Sequence, residues 1–181
     1  GVGGAAPENG RDANWGATWG IFLLPYADQT SLYNSYDFSK TARQQVAGQG
    51  QQVQRANLSL MNCPSHPPAT SRLNQDYDGN AKGTYAANAG AGHYMANSGF
   101  GTALRGPISG QGQWGANFRD MQDGSSNSIA IGEVVHDNNG FDDRGAWTWM
   151  SGAFFCGRIL SSAIGYDSIV TPNSNRLWDA S

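Results

Sequence analysis

Charged side chains are scarce in this chain. Asp, Glu, Lys and Arg make up 14% of the 181 residues, and the formal net charge is −3. Such a balance offers no basic patch for a nucleic acid or for an anionic membrane surface, so we exclude both classes of partner. Asn, Gln, Ser and Gly fill the sequence instead, a composition typical of an extracellular or cell-surface protein.

Cysteine is also rare, with only Cys63 and Cys156. The two residues lack C-x-x-C spacing and have no neighbouring pair of histidines, which argues against zinc and redox motifs. We predict that they form a disulfide. The alternative is a pair of buried thiols.

Long apolar runs are missing as well. No stretch of 18 apolar residues occurs, so the sequence predicts no membrane span, and no signal peptide is recognisable. For an exported protein, we would expect the targeting segment to have been removed or not included.

Glycine is abundant, with 25 residues, while 39% of the chain is hydrophobic. This balance favours a loop-rich β or α+β domain over a helical bundle. We expect an extended lead-in at residues 1–14 and a single globular domain at 15–181.

Apolar periodicity changes along the chain. Three- and four-residue spacing predicts an amphipathic helical region over residues 19–36, interrupted near Pro25, and a broken helix over 41–56. Two-residue spacing predicts strands later in the sequence. The predicted strands are residues 58–63, 84–87, 128–135 and 146–150, with a long Gly-rich loop over 90–115. The fold class is therefore α+β, with the helical region packed on a mainly antiparallel sheet.

The sequence contains no complete catalytic motif. The segment 110–115 fits G-x-G-x-x-G, but Gly106-Pro107 lies just before it and Asp123-Gly124 interrupts any helix that starts at Ala116, so we interpret it as a turn-rich loop. His66, His93 and His136 are scattered and form no metal or hydrolase motif. A Cys-His nucleophile pair, adjacent only in space, stays open as an alternative. We predict a non-enzymatic protein with no catalytic residues.

Two features suggest ligands. Asp137, Asn139, Asp142 and Asp143 cluster the hard oxygen ligands that Ca²⁺ accepts, the alternative being an Asp/Asn-rich turn. Trp114, in the Gly-rich loop, is the tryptophan that we expect to be exposed, where its ring could stack on a sugar. Calcium and glycans are the resulting candidates.

A polar corner precedes one predicted strand. Asp123-Gly124 supplies the positive φ of a tight turn, and Asn127 can hydrogen-bond nearby backbone. Glu133 ends the strand, and we expect it to cap this corner or to pair with Arg119 or Arg144. We interpret Asp123, Gly124, Asn127 and Glu133 as architectural.

Three segments carry a family resemblance: LLPYADQTSLYN at 23–34, NCPSHP at 62–67 and DGSSNSIAIGE at 123–133. In this order they resemble a planctomycete family of secreted, prepilin-like or pseudopilin-like proteins of unknown function. The family's N-terminal pilin helix and C-terminal His-x9-Asp-Gly signature are absent from this sequence. We therefore expect a trimmed head of a longer chain.

The resemblance implies a pilin-like head that serves as an extracellular structural or assembly subunit. Its expected partners are copies of itself or other envelope and surface proteins. The alternative is a secreted module that binds glycans or another solute. Filament formation is a further expectation from the resemblance alone.

Overall fold

The computed structural model describes residues 16–42, 45, 49–70, 72, 79–90, 106–109, 114–138, 140 and 142–156. The expected lead-in at 1–14 and most of the Gly-rich loop lie outside these ranges. Within them, no helix combines the length and the apolar character required to cross a membrane.

The helical region is interrupted at Pro25, as predicted. Helix α1 (Trp19–Leu23) is followed by a 3-10 turn, Leu24–Ala27, with Pro25 in its first positions, where a missing amide hydrogen costs nothing. Asp28 then takes a left-handed conformation, and α2 (Thr30–Ser35) begins. Helix α3 (Gln49–Gln54) lies within the predicted broken helix.

A three-stranded sheet forms the β layer. Strand β1 (Tyr85–Gly90) lies in the centre, between the antiparallel β4 (Ile131–Glu133) and the parallel β5 (Phe154–Cys156). Strands β2 (Ile108–Ser109) and β3 (Trp114–Gly115) form a separate antiparallel pair, and helix α4 (Met150–Ala153) directly precedes β5. The fold is α+β with mainly antiparallel pairing, which confirms the predicted class.

Two apolar clusters join these layers. One lies on the sheet and contains Ala87, Trp149 and Phe154, with Trp19 of α1 packed against it. The other gathers Ile21, Leu24, Val53, Met61 and Trp147 under the helices. Trp19 therefore touches both clusters, so the helical region packs on the sheet through α1.

Hydrogen bonds fasten α1 to the distant C-terminal part of the described chain. The Thr18 hydroxyl donates to the carbonyl of Trp147 at 2.7 Å rather than capping α1. The Trp19 indole donates to the carbonyl of Ala153 at 2.6 Å. Both bonds satisfy polar groups that burial would otherwise leave unpaired.

The predicted strand at 58–63 is wrong, because Ser59–Met61 forms a 3-10 turn. Met61 is buried in the helical cluster, and the Asn62 amide side chain donates to the Leu58 carbonyl at 2.7 Å. This local bond offers the backbone an alternative to a strand ladder.

The predicted strand at 146–150 is also wrong. Ala146 makes a single bridge to Lys82, after which the chain turns and enters α4. Trp147 and Trp149 consequently lie in different apolar clusters, not on one sheet face. The predicted strands at 84–87 and 128–135 correspond to β1 and to the region around β4.

Candidate functional site

Strand β4 lies at an edge of the three-stranded sheet. The register pairs Ala86 with Gly132 and Ala87 with Ile131, and the Val134 amide donates to the Thr84 carbonyl. In an antiparallel pair, alternate residues direct their backbone groups toward and away from the partner strand. Gly132 and Val134 therefore face β1, while the amides and carbonyls of Ile131 and Glu133 point away from it, along the edge.

The same strand carries an exposed apolar row. Ile129, Ile131 and Val135 retain 64%, 42% and 57% of their accessible surface, and their two-residue spacing places them on one face. Glu133, also exposed, stands between Ile131 and Val135. An edge strand with apolar side chains is a template for pairing with another chain, and Glu133 is the one charged residue between Ile129 and Val135.

The polar corner before β4 has the predicted form. Gly124 has a φ of +88°, which a residue with a Cβ rarely adopts. The Asn127 side chain donates to the Asp123 carbonyl at 2.8 Å, and a 3-10 turn at Ser125–Asn127 leads toward the strand. This corner fixes the point at which the chain enters the sheet edge.

The expected cap of the corner by Glu133 stays a prediction. Glu133 lies on β4, where it pairs with Tyr85 of β1 and is exposed. Arg144, one expected partner, instead donates to Asp142. Glu133 is thus part of the open edge.

A buried ion cluster lies beyond the end of β4. Arg144 Nε and Nη2 donate to the two carboxylate oxygens of Asp142 at 2.7 and 3.1 Å. Lys82 Nζ lies 3.9 Å from Asp142 Oδ2 and donates to the Asp137 carbonyl at 2.9 Å. Burial lowers the pKa of Lys82, and the charge of Asp142 opposes this shift. The cluster ties the segment after β4 to the chain before β1.

This cluster bears on the predicted calcium site. The carboxylate of Asp142 also accepts the amide hydrogens of Asp137 and Arg144, so its oxygens already have several donors. The described residues contain no group of three or more His, Cys, Asp or Glu side chains arranged for a metal ion. Asn139 lies outside the described residues, and the four-residue calcium site stays a prediction.

Two histidines meet beside the cluster. The rings of His66 and His136 are 4.8 Å apart at their centres and inclined by 62°. His136 is only 6% exposed, and neither of its ring nitrogens has a hydrogen-bond partner in the described part of the chain. Burial lowers the pKa of His136, His66 and Lys82 lower it further, and Asp142 acts in the opposite direction.

The predicted disulfide is not formed, because Cys63 is a free thiol in this structure. The Cys63 amide donates to the hydroxyl of Thr84, just before β1, whereas Cys156 pairs with Gly90 at the other end of that strand. Six residues of strand separate these positions by roughly 15–20 Å, but a disulfide needs Cα atoms within about 7 Å.

A Cys-His pair is not assembled around His136 either, since its nitrogens bond to neither Cys63 nor Glu133. The side chains of Trp114 and Cys156, and all of His93, lie outside what the structure describes. The exposure predicted for Trp114 therefore stays a prediction.

Sequence reasoning missed the ion cluster and the histidine pair. Lys82 lies 55 residues from Asp137, and 70 residues separate the two histidines, so no local pattern links them. A signal for the edge row was present, since Ile129, Ile131, Glu133 and Val135 alternate along the chain. That alternation predicted a strand without showing that it lies at an edge.

Residues 2–178 match the family model SBP_bac_10, described as "Protein of unknown function (DUF1559)". The match covers nearly the whole chain, so the chain belongs to this family. Neither the curated proteins nor the solved structures gave a match.

Proposed function

We propose that this protein is a non-enzymatic structural or assembly subunit, of pseudopilin-like type, that acts outside the cell or on its surface. The observation that carries the proposal is the edge strand β4, with its outward backbone groups and the apolar row Ile129, Ile131 and Val135. Such an edge binds another strand through main-chain hydrogen bonds and through alternate side chains. The partner that we infer is a second copy of the chain.

The polar groups near this edge serve architecture. Asp123 and Asn127 hold a turn, and Asp142 and Arg144 bond to each other. None of these contacts combines an activated nucleophile with a base, the arrangement that covalent catalysis uses. These contacts support a subunit that functions by binding other proteins through its surface.

The runner-up function, a glycan-binding module, would need exposed aromatic faces. Trp147 and Trp149 are buried, and Trp19 is half-buried against both apolar clusters. These three tryptophans stabilise the core. The exposed aromatic rings of the described residues belong to Phe22, Tyr26 and Phe118, so a tryptophan platform depends on Trp114, whose side chain lies outside the described part of the chain.

Sedimentation velocity over a range of protein concentrations tests the proposal. We expect the wild-type chain to associate as its concentration rises. Ile131→Lys should suppress association, because it places a charge in the centre of the apolar row. Tyr26→Lys, at an 88% exposed aromatic residue on the 3-10 turn after α1, is the matched control and should associate like the wild type.

Two results would contradict the proposal. One is a wild-type chain that stays monomeric at all concentrations. The other is an Ile131→Lys variant that associates as strongly as the wild type, which would place the contact surface elsewhere.

A further inference from the structure

Two imidazoles from distant parts of the chain are held side by side. His66 ends a turn in which its amide donates to the Cys63 carbonyl at 3.0 Å, and His136 follows β4. The Thr70 amide donates to the Asn138 side chain at 2.9 Å, which joins the two segments next to the rings. The hydrogen bond between these two segments therefore holds the two rings close together.

The spacing of the rings suits shared metal coordination. Two imidazole nitrogens that each lie 2.0–2.1 Å from one Zn²⁺ place their ring centres about 4.5 Å apart for a right-angled arrangement and about 5.2 Å apart for a tetrahedral one. The observed separation is 4.8 Å, with the rings inclined by 62°. The observed separation of the ring centres falls within this range.

His66 is prepared to act as a ligand. Its Nδ1 lies 2.7 Å from the carbonyl oxygen of Pro67. A carbonyl can only accept, so Nδ1 carries the hydrogen and Nε2 keeps its lone pair. Metal-binding histidines commonly donate their second ring nitrogen to a backbone carbonyl in this way, because the bond fixes the tautomer and the ring orientation.

His136 supplies the second, independent observation. His136 is 94% buried as a residue, since 6% of its surface is exposed, yet neither of its ring nitrogens makes a hydrogen bond of good geometry with the described residues, the nearest backbone group being that of Asp137. A buried polar atom without a partner is destabilising, and a metal bond would satisfy one of the two nitrogens.

We propose that His66 and His136 form a binding site for one divalent transition-metal ion of the class that prefers imidazole, represented by Zn²⁺. Water completes the coordination, since the described residues offer no group of three or more ligating side chains. Lys82 and Asp142 both act on the His136 ring, so the ion meets one neighbouring charge of each sign. The site is separate from the assembly function proposed above.

Isothermal titration of the full chain with Zn²⁺ tests this site. We expect one ion per chain, and at least a tenfold loss of affinity in His66→Gln. His93→Gln, which removes the third histidine, is the control and should bind like the wild type. Circular dichroism of His66→Gln checks that this change, in a half-buried turn, leaves the fold intact.

Imidazole ¹⁵N spectra of the wild-type chain provide a second test without mutation. Zn²⁺ should shift the ring nitrogens of His66 and His136 together and leave those of His93 in place. Full affinity in His66→Gln, loss of binding in His93→Gln, or a shift confined to one ring would each overturn the proposal.

Discussion

Gly145 occupies a backbone position that no other residue can take without strain. Its φ is +76°, and an added Cβ would lie 1.9 Å from the carbonyl oxygen of Gly83. This close approach lets the Gly83 amide bond to the Gly145 carbonyl at 2.7 Å. The bond continues the pairing that links Lys82 to Ala146.

We therefore predict that Gly145→Ala lowers the free energy of unfolding by about 3 kcal/mol or more, through positive φ and the clash together. Gly115→Ala is the control, because open space surrounds that position. Chemical denaturation measures both. A Gly145→Ala variant as stable as Gly115→Ala would show that the close approach to Gly83 is incorrect.

Asp142 compensates the buried charge of Lys82, whose side chain is fully inaccessible. Asp142→Asn should cost about 3–5 kcal/mol, because it removes the carboxylate that offsets the buried ammonium group of Lys82 and that accepts the hydrogen bonds of Arg144. Combining Asp142→Asn with Lys82→Met should recover part of that loss, since the double variant removes the buried charge as well.

Denaturation of the two single variants and the double variant completes this cycle. Asp37→Asn provides a comparison, because Asp37 pairs with Lys40 at 3.2 Å on the surface and should affect stability little. Strictly additive effects of Asp142→Asn and Lys82→Met would refute the coupling.

Among the helices, turns and strands, local sequence patterns predicted correctly those features that depend on neighbouring residues. The interruption at Pro25 follows from proline chemistry, and Gly124 adopts the positive φ that its turn required. The segment at 58–63 alternates like a strand, but Met61 is drawn into the helical core and Asn62 bonds to nearby backbone. The core contacts of Met61 depend on residues far away in the sequence.

The sheet illustrates the same limit. Alternation identified β1 and the region of β4, but nothing local indicates that β5 pairs with β1 in parallel. The histidine pair could not be predicted from local patterns either, because 70 residues separate its members, whose segments are joined in the described part of the chain by the bond between Thr70 and Asn138. The edge row was visible as a pattern, although its exposure was not.

The loop at 137–143 allows a prediction about calcium. Asp142 is already bonded to Arg144 and close to Lys82, so Ca²⁺ would have to displace these cations. We expect that added Ca²⁺ leaves the melting temperature unchanged, because only a ligand held by the native state raises it. A rise that saturates with Ca²⁺ and is lost in Asp143→Asn would instead establish the calcium site.

At the scale of the whole molecule, stability should not depend on a disulfide. Cys63 is free, so a reducing agent should leave the melting temperature unchanged. A bridge across a span as long as Cys63 to Cys156 would contribute roughly 4–5 kcal/mol, and reduction would then lower the melting temperature by several degrees. Such a drop, with two thiols appearing on titration, would contradict the free state of Cys63.

Membership of this family does not assign a function, so the proposal depends on the surface of the molecule. The chain belongs to a family of unknown function, and the observation that supports assembly is one edge strand whose outer side pairs with no strand among the described residues. We therefore propose that β4 of one copy pairs, through its outward backbone groups, with another copy.

Amide hydrogen exchange at single-residue resolution tests this claim most directly. The amides of Ile131 and Glu133 should exchange quickly in dilute protein and become protected as the concentration rises, because they point away from β1. Gly132, whose amide faces β1, is the internal control and should be protected throughout. If Ile131 and Glu133 exchange equally fast at every concentration, β4 is not the contact and the account is contradicted.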